Sequence, residues 1–235
     1  MKLEKVFRNC VCNFVLLATV CGLLFVTFSD DIENVFSPSE NRAIYRGNTE
    51  KQRVSLMFNV YWGTEYIEPI LETLEKHNVK ATFFIGGSWA NKNSELLEKI
   101  AEFGHEIGNH GYFHKDHDRL NYNQNSEEIF TAEKMIEAMC GVKTRLFAPP
   151  SGAFSKTTLK SANDLGYQVI MWSKDTIDWR DQDVMLIYSR ATKDLKAGDF
   201  VLMHPTNATL KALNDILEYY ETAKFEVVTV SENMN

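Results

Sequence analysis

The sequence predicts an α/β domain whose seven parallel strands close, or nearly close, a (β/α) barrel. Three observations carry that expectation. From Arg53 onward, short β-rich runs alternate with amphipathic helical patterns, as parallel strands joined by right-handed crossovers require. Seven such runs occur, about the number a small barrel needs. The unusual polar residues fall just after these runs, on the rim where such folds carry reactive groups.

The elements follow in order. Val54 to Val60 reads as a strand, and Glu65 to His77 as a helix with Ile67, Ile70, Leu71 and Leu74 at helical spacing. Ala81 to Ile85 is a second strand. Ser94 is placed as the N-cap of a helix that runs to Phe103 and ends at Gly104. His105 to Gly108 is a third strand, and Ser126 is placed as the cap of a helix through Met139. Thr144 to Ala148 is a strand stopped by Pro149-Pro150, and Ser155 to Leu165 is a helix closed by Gly166. Gln168 to Trp172 (strand), Asp183 to Leu195 (helix), Phe200 to Met203 (strand), Leu210 to Tyr220 (helix) and Phe225 to Val230 (strand) complete the domain.

Four segments result: a basic segment 1–8, an apolar segment 9–28, a polar spacer 29–52 and the domain 53–235. Lys2, Lys5 and Arg8 precede the apolar run; Asp30, Asp31 and Glu33 follow it. That asymmetry places the N-terminus in the cytoplasm and the domain outside it. The exit lacks an Ala-x-Ala pattern, and Val20 beside Cys21 argues against a lipoprotein site. An uncleaved single-pass transmembrane signal anchor is expected, with secretion after cleavage as the alternative. The formal net charge of −7, without a basic stripe, gives no support for nucleic-acid binding. Cys10, Cys12 and Cys21 lie in the apolar segment, so Cys140 alone remains for the domain. An internal disulfide framework and a cysteine-based zinc site are thereby excluded there. Cys140 reads as a small hydrophobe.

His110 and His114, four residues apart, carry the most chemistry. Two imidazoles suit one divalent metal, although such a pair alone is as compatible with two polar loop residues. Asp175 and Asp178 can orient a rim histidine, and His204 can then serve as a general acid. The turn Pro149-Pro150-Ser151-Gly152 offers backbone N–H groups, from Ser151 onward, to an oxyanion. With a metal to polarise a carbonyl, these parts make an amide or ester hydrolase. A redox enzyme fits less well, because no dinucleotide glycine fingerprint is present. Trp62, Trp89 and Trp172 are read equally as rim packing or sugar platforms, and His117 as a solvated loop residue.

Motif by motif, residues 53 to 231 resemble the polysaccharide deacetylase family, the NodB-homology domain or carbohydrate esterase family four. Leu56-Met57-Phe58-Asn59-Val60 stands where the family has Thr-Phe-Asp-Asp, and Lys80 to Phe84 and Gly104 to His110 look like family sequence. His110-x-x-x-His114 matches its metal motif in the histidines. Phe147-Ala148-Pro149-Pro150-Ser151-Gly152 is similar to Phe-Arg-Pro-Pro-Tyr-Gly, Asp175-x-x-Asp178-Trp179 to Asp-x-x-Asp-Trp, and Leu202-x-His204 to Leu-x-His. The resemblance implies a distorted seven-stranded (β/α) barrel of the NodB-homology type and metal-dependent removal of acetyl groups from a glycan such as peptidoglycan. It implies a divalent metal, zinc or similar, on one Asp and two His, with a neighbouring Asp as base and a His as acid. Pro150, Ser151, Gly152 and Trp179 would then meet substrate or oxyanion, and His110 and His114 the metal.

Three positions depart from that pattern. Asn59 stands in the place of the base, Val60 in that of the metal-binding Asp, and Ala148 in that of an Arg that tunes the base. The lost first motif, followed by Trp62-Gly63-x-Glu65, resembles a sporulation-associated branch. The expectation is a membrane-anchored hydrolase acting on acetamido C–N bonds, with Glu65 or a rim Asp as substitute base. The alternative is an impaired relative that binds glycan as a lectin-like or structural envelope module.

Overall fold

The computed structural model describes residues 42–235. The expected basic segment, the membrane anchor and most of the spacer lie outside the described residues. No helix among the described residues is long and apolar enough to cross a membrane.

Nine strands form one sheet among these residues: β1 (Ala43–Ile44), β2 (Arg53–Val60), β3 (Thr82–Ile85), β4 (Glu106–Asn109), β5 (Leu146–Phe147), β6 (Gln168–Ile170), β7 (Lys174–Asp175), β8 (Asp199–Met203) and β9 (Glu226–Val227). The helices are α1 (Ile67–Lys76), α2 (Gly87–Ala90), α3 (Ser94–Glu102), α4 (Tyr122–Cys140), α5 (Lys156–Asp164), α6 (Val184–Thr192), α7 (Asn207–Thr222) and α8 (Val230–Met234). The strand order is β1-β6-β5-β4-β3-β2-β8-β7, with β9 also on β2, and these ladders are parallel. All seven expected strands are present, and β1 and β7 are additional. β6 and β7 lie toward opposite ends of that path but are separated in the chain only by residues 171–173. Across this break Met171 N–H donates to Ile44 O and Ser173 N–H to Phe200 O. One interrupted strand thus draws the two ends of the sheet together, which is the distortion in the barrel.

Alternation along β2 shows how the core is divided. Val54, Leu56, Phe58 and Val60 share the large apolar cluster with Ile70, Leu74, Leu213 and Ile216 of α1 and α7. Met57 packs in a second cluster with Phe84, Ile170 and Val230, while Ser55 and Asn59 are buried polar residues. One face of the strand thus meets helices and the other the interior of the sheet.

Several boundaries differ from the sequence expectation. The spacer ends earlier than residue 52, because β1 pairs with β6, and Arg46 bridges to the buried Asp199 at 2.9 Å. A two-residue strand has no period to detect. Asn93, not Ser94, occupies the cap position of α3. Asn121 caps α4 through a capping box with Gln124, whereas Ser126 hydrogen-bonds Ser161 at 2.8 Å. Ser155 and Asp183, the first residues of two expected helices, are the caps of α5 and α6. The last strand is only β9, because Thr229 forms a capping box with Glu232 and starts α8. That helix closes the N-terminal mouth of the sheet. Val230 N–H donates to Thr82 Oγ1, Ser55 Oγ–H to Thr229 O, and Asn233 Nδ2–H to Ser55 Oγ.

Candidate functional site

The opposite mouth, at the C-terminal ends of the strands, holds a cleft of about 360 Å³. Asn59, Trp62, His110, His114, Ser151, Trp172, Asp175, Trp179, Leu202 and His204 line it. Residues read from five separated stretches of sequence therefore meet at one place. Pro150 is buried under the rim, Asp178 is fully buried behind His204, and Gly152 backs the Trp172 wall.

The half of the site expected to supply the acid is fully assembled. Asp178 Oδ1 accepts from His204 Nδ1 at 2.8 Å, and its Oδ2 accepts from the His204 backbone N–H at 2.6 Å and from Thr209 Oγ1 at 2.5 Å. A carboxylate only accepts, so the proton on that edge of the ring sits on Nδ1 and Nε2 is left for the cleft. Trp62 lies parallel to the imidazole, with ring centroids 5.8 Å apart. Gly63 makes this stack accessible to the chain. Its φ is +74°, and a Cβ there would stand 2.0 Å from Pro205 O. Asp175 does not join the pair; its Oδ1 accepts from Ile177 N–H at 2.8 Å and holds the turn that presents Asp178 and Trp179.

The two histidines sit together, ring centroids 5.1 Å apart and edge to face. His110 Nδ1 donates to Ala148 O at 2.7 Å, which leaves its Nε2 with the lone pair. The backbone of Ala148 thus supports the site although its side chain is lost. Burial, then the neighbouring His114, hold His110 well below the usual histidine range; burial lowers His114 as well. Tyr61 stacks on His114 at 4.6 Å. The loop is clamped from α4. Glu128 Oε2 accepts from Tyr112 and Phe113 N–H at 3.0 and 2.8 Å, and its Oε1 pairs with Lys115 at 2.8 Å.

Other expectations need correction. His117 is fully buried, not solvated, because Asn125 of α4 bonds its Nδ1 at 2.7 Å and takes its carbonyl as well. Gly152 and Ala153 N–H donate to Pro149 O and Pro150 O within their own turn. The oxyanion expectation therefore narrows to Ser151. Trp89 is buried, with Nε1–H on Thr64 Oγ1, and is no sugar platform, whereas Trp62 and Trp172 line the cleft. Glu65 is exposed and absent from the cleft lining, so it does not stand in for the base. Cys140 is half-buried, and burial pushes its thiol up. Sequence reasoning missed Thr209, Glu128 and Tyr61. Only a helical face that is buried yet polar, at Asn125, Glu128 and Glu133, pointed toward any of them.

The half expected to supply the base and the metal carboxylate holds neither carboxylate. Asn59 presents an amide, and Val60 is buried in the helix-side core. Among the described residues, no group of three His, Cys, Asp or Glu is placed to hold a metal. Two neutral imidazoles without a carboxylate do not fit a resident catalytic metal of the one-Asp, two-His kind.

Comparison with known proteins agrees with this geometry. A family profile described as polysaccharide deacetylase matches residues 46–170. The uncharacterized protein YlxY of Bacillus subtilis (strain 168) is 40% identical over 192 residues, 82% of this chain and 60% of that protein. A peptidoglycan-N-acetylglucosamine deacetylase of Bacillus cereus is 30% identical over 79% of this chain and 70% of its own length. The crystal structure of a carbohydrate esterase family 4 pseudoenzyme from Bacillus anthracis superposes with a TM-score of 0.81 at 37% identity, covering 83% of this chain and 70% of that one.

Proposed function

Because this chain belongs to the polysaccharide deacetylase family, we propose that it binds an acetylated cell-wall glycan of the peptidoglycan type in the cleft and holds it without efficient hydrolysis. The observation that carries this reading is the division of the site. The acid half, His204 with Asp178 and Thr209, is whole, while the position of the base carries the amide of Asn59. An amide takes up no proton near neutral pH. Loss of a general base costs about 10²–10⁴-fold in rate, before any loss of metal. What remains suits binding: a cleft within the usual ~300–1,000 Å³ of small-molecule sites, with three indoles and a free imidazole edge. We place the domain outside the cytoplasm, tethered by residues 9–28, on the basis of the charge asymmetry around that segment.

The test is paired. The full chain is titrated by calorimetry with a β-1,4-linked N-acetylglucosamine tetramer and with fragments of peptidoglycan, and acetate release is measured in the same samples with and without added zinc. Saturable binding without acetate above background is expected. A second reading, slow hydrolysis, is favoured by the intact acid half. Zinc-dependent acetate release that His204→Ala abolishes would establish it and displace the first.

A further inference from the structure

Asn59 is 4% exposed, and its Oδ1 is fully buried without a hydrogen-bond partner. The other deeply buried asparagines near the site are satisfied. Asn109 donates to Ile129 O and accepts from Gly111 N–H, and Asn125 accepts from His117 and donates to three carbonyls. The fold therefore finds partners for carboxamides when they serve structure. Asn59 differs in a second respect: it lines the cleft, whereas the other unpartnered buried atoms among the described residues, on His105, His117 and Asn233, belong to residues that do not. An unsatisfied buried amide oxygen is costly, and no protein group among the described residues satisfies this one.

We propose that Asn59 is a recognition residue that reads the acetamido group of the bound sugar. This rests on the glycan-binding reading above. A carboxamide offers one acceptor and two donors, and an acetamido group offers one N–H and one carbonyl. Nδ2, the amide atom the fold does not seal, donates to the ligand carbonyl, and a turn of the side chain brings Oδ1 to accept the ligand N–H. Trp172 and Leu202 supply apolar wall for the methyl group. A de-acetylated sugar brings an ammonium instead. It has no acceptor for Nδ2 and no methyl for the wall, and at the floor of the cleft it meets a neutral amide where a carboxylate would compensate its charge. The site is thus built to prefer the acetylated glycan over its amine. A carboxylate at this position inverts the preference.

The test compares the full chain and two variants, Asn59→Leu and Asn59→Asp, with the N-acetylglucosamine tetramer and the fully de-acetylated glucosamine tetramer at pH 7. Wild type is expected to favour the acetylated tetramer about tenfold or more. Asn59→Leu, of similar volume and without polar atoms, is expected to lose about tenfold in affinity for the acetylated tetramer, and Asn59→Asp to favour the amine. A second readout needs no ligand: Asn59→Leu is expected to raise the unfolding temperature, because it removes an unpaired buried polar group. Unchanged affinity of Asn59→Leu for the acetylated tetramer overturns the inference and leaves the glycan-binding reading standing. A lowered unfolding temperature for that variant also overturns it, since the amide then serves the fold. Wild type that binds neither tetramer overturns both.

Discussion

Asp178→Asn is the most informative single change at the acid side. The native carboxylate is fully buried and accepts three hydrogen bonds, from His204 Nδ1, His204 N–H and Thr209 Oγ1. An amide has one acceptor and one donor end. If its oxygen takes over the two bonds of Oδ2, its NH₂ faces His204 Nδ1 and expels the proton from that nitrogen. The ring then carries its proton on Nε2, toward the cleft. If the amide is turned the other way, two donors confront an NH₂, which is worse. One charge-assisted bond is lost outright and two are weakened, on the order of 2–4 kcal/mol in all. For a domain of this size that lowers the unfolding temperature by roughly 5–15 °C. Two assays follow: scanning calorimetry of both proteins, and ¹⁵N chemical shifts of the His204 ring, which separate the tautomers. An unchanged melting temperature, or a His204 ring that keeps its proton on Nδ1 in the variant, would refute the reasoning.

Three further outcomes are expected. Burial, then the nearby Lys80, lower His105 to about 4, whereas the unfolded chain titrates near 6.5. The unfolded state binds the extra proton between these values, so this contribution is whole above pH 6.5 and lost as pH falls toward 4. His105→Asn, which keeps an acceptor for Ala81 N–H at 3.2 Å in the native ring, should flatten that part of the stability–pH curve by up to about 3 kcal/mol in denaturant titrations; parallel curves would count against it. Glu128→Ala leaves the N–H groups of Tyr112 and Phe113 without their acceptor, so hydrogen exchange at those two amides should accelerate by more than tenfold while the β2 core stays protected. Asn59→Asp with Val60→Asp should unfold several degrees below wild type without metal, since Val60 is fully buried in the apolar core, and should regain part of that loss on adding zinc. A double variant indifferent to zinc would show that the second carboxylate stays in the core.

How much of this was legible in the sequence depends on what each residue answers to. Strands β2, β3, β4 and β8 and their helices were visible because burial against helices imposes a period, and the starts of α5 and α6 were placed at Ser155 and Asp183, whose side chains cap them within four residues. β1 and β7 were not, because two-residue strands are held by partners that are remote in sequence. At the site, His204 and Asp178 announced themselves by type and by their place after a strand. The actual work of Thr209, Glu128 and Asn125 is done from helices, where a polar residue ordinarily means solvent. Period two on β2 did contain one clue that went unused. Val60 has the parity of Val54, Leu56 and Phe58, which already sends its side chain toward the helices.

The floor of the sheet bears on how the molecule is made. β2 is the first long strand, yet β9 pairs with its beginning, and the α8 segment bonds Ser55 across 174 and 178 residues. The centre of the sheet therefore stays open at one mouth until residues 226–234 have arrived. Contacts of such long range close late and slowly. A nascent chain of this design keeps the floor of its sheet open until β9 and α8 have been made. The clasp that completes the structure is thus the last part of the described fold to close.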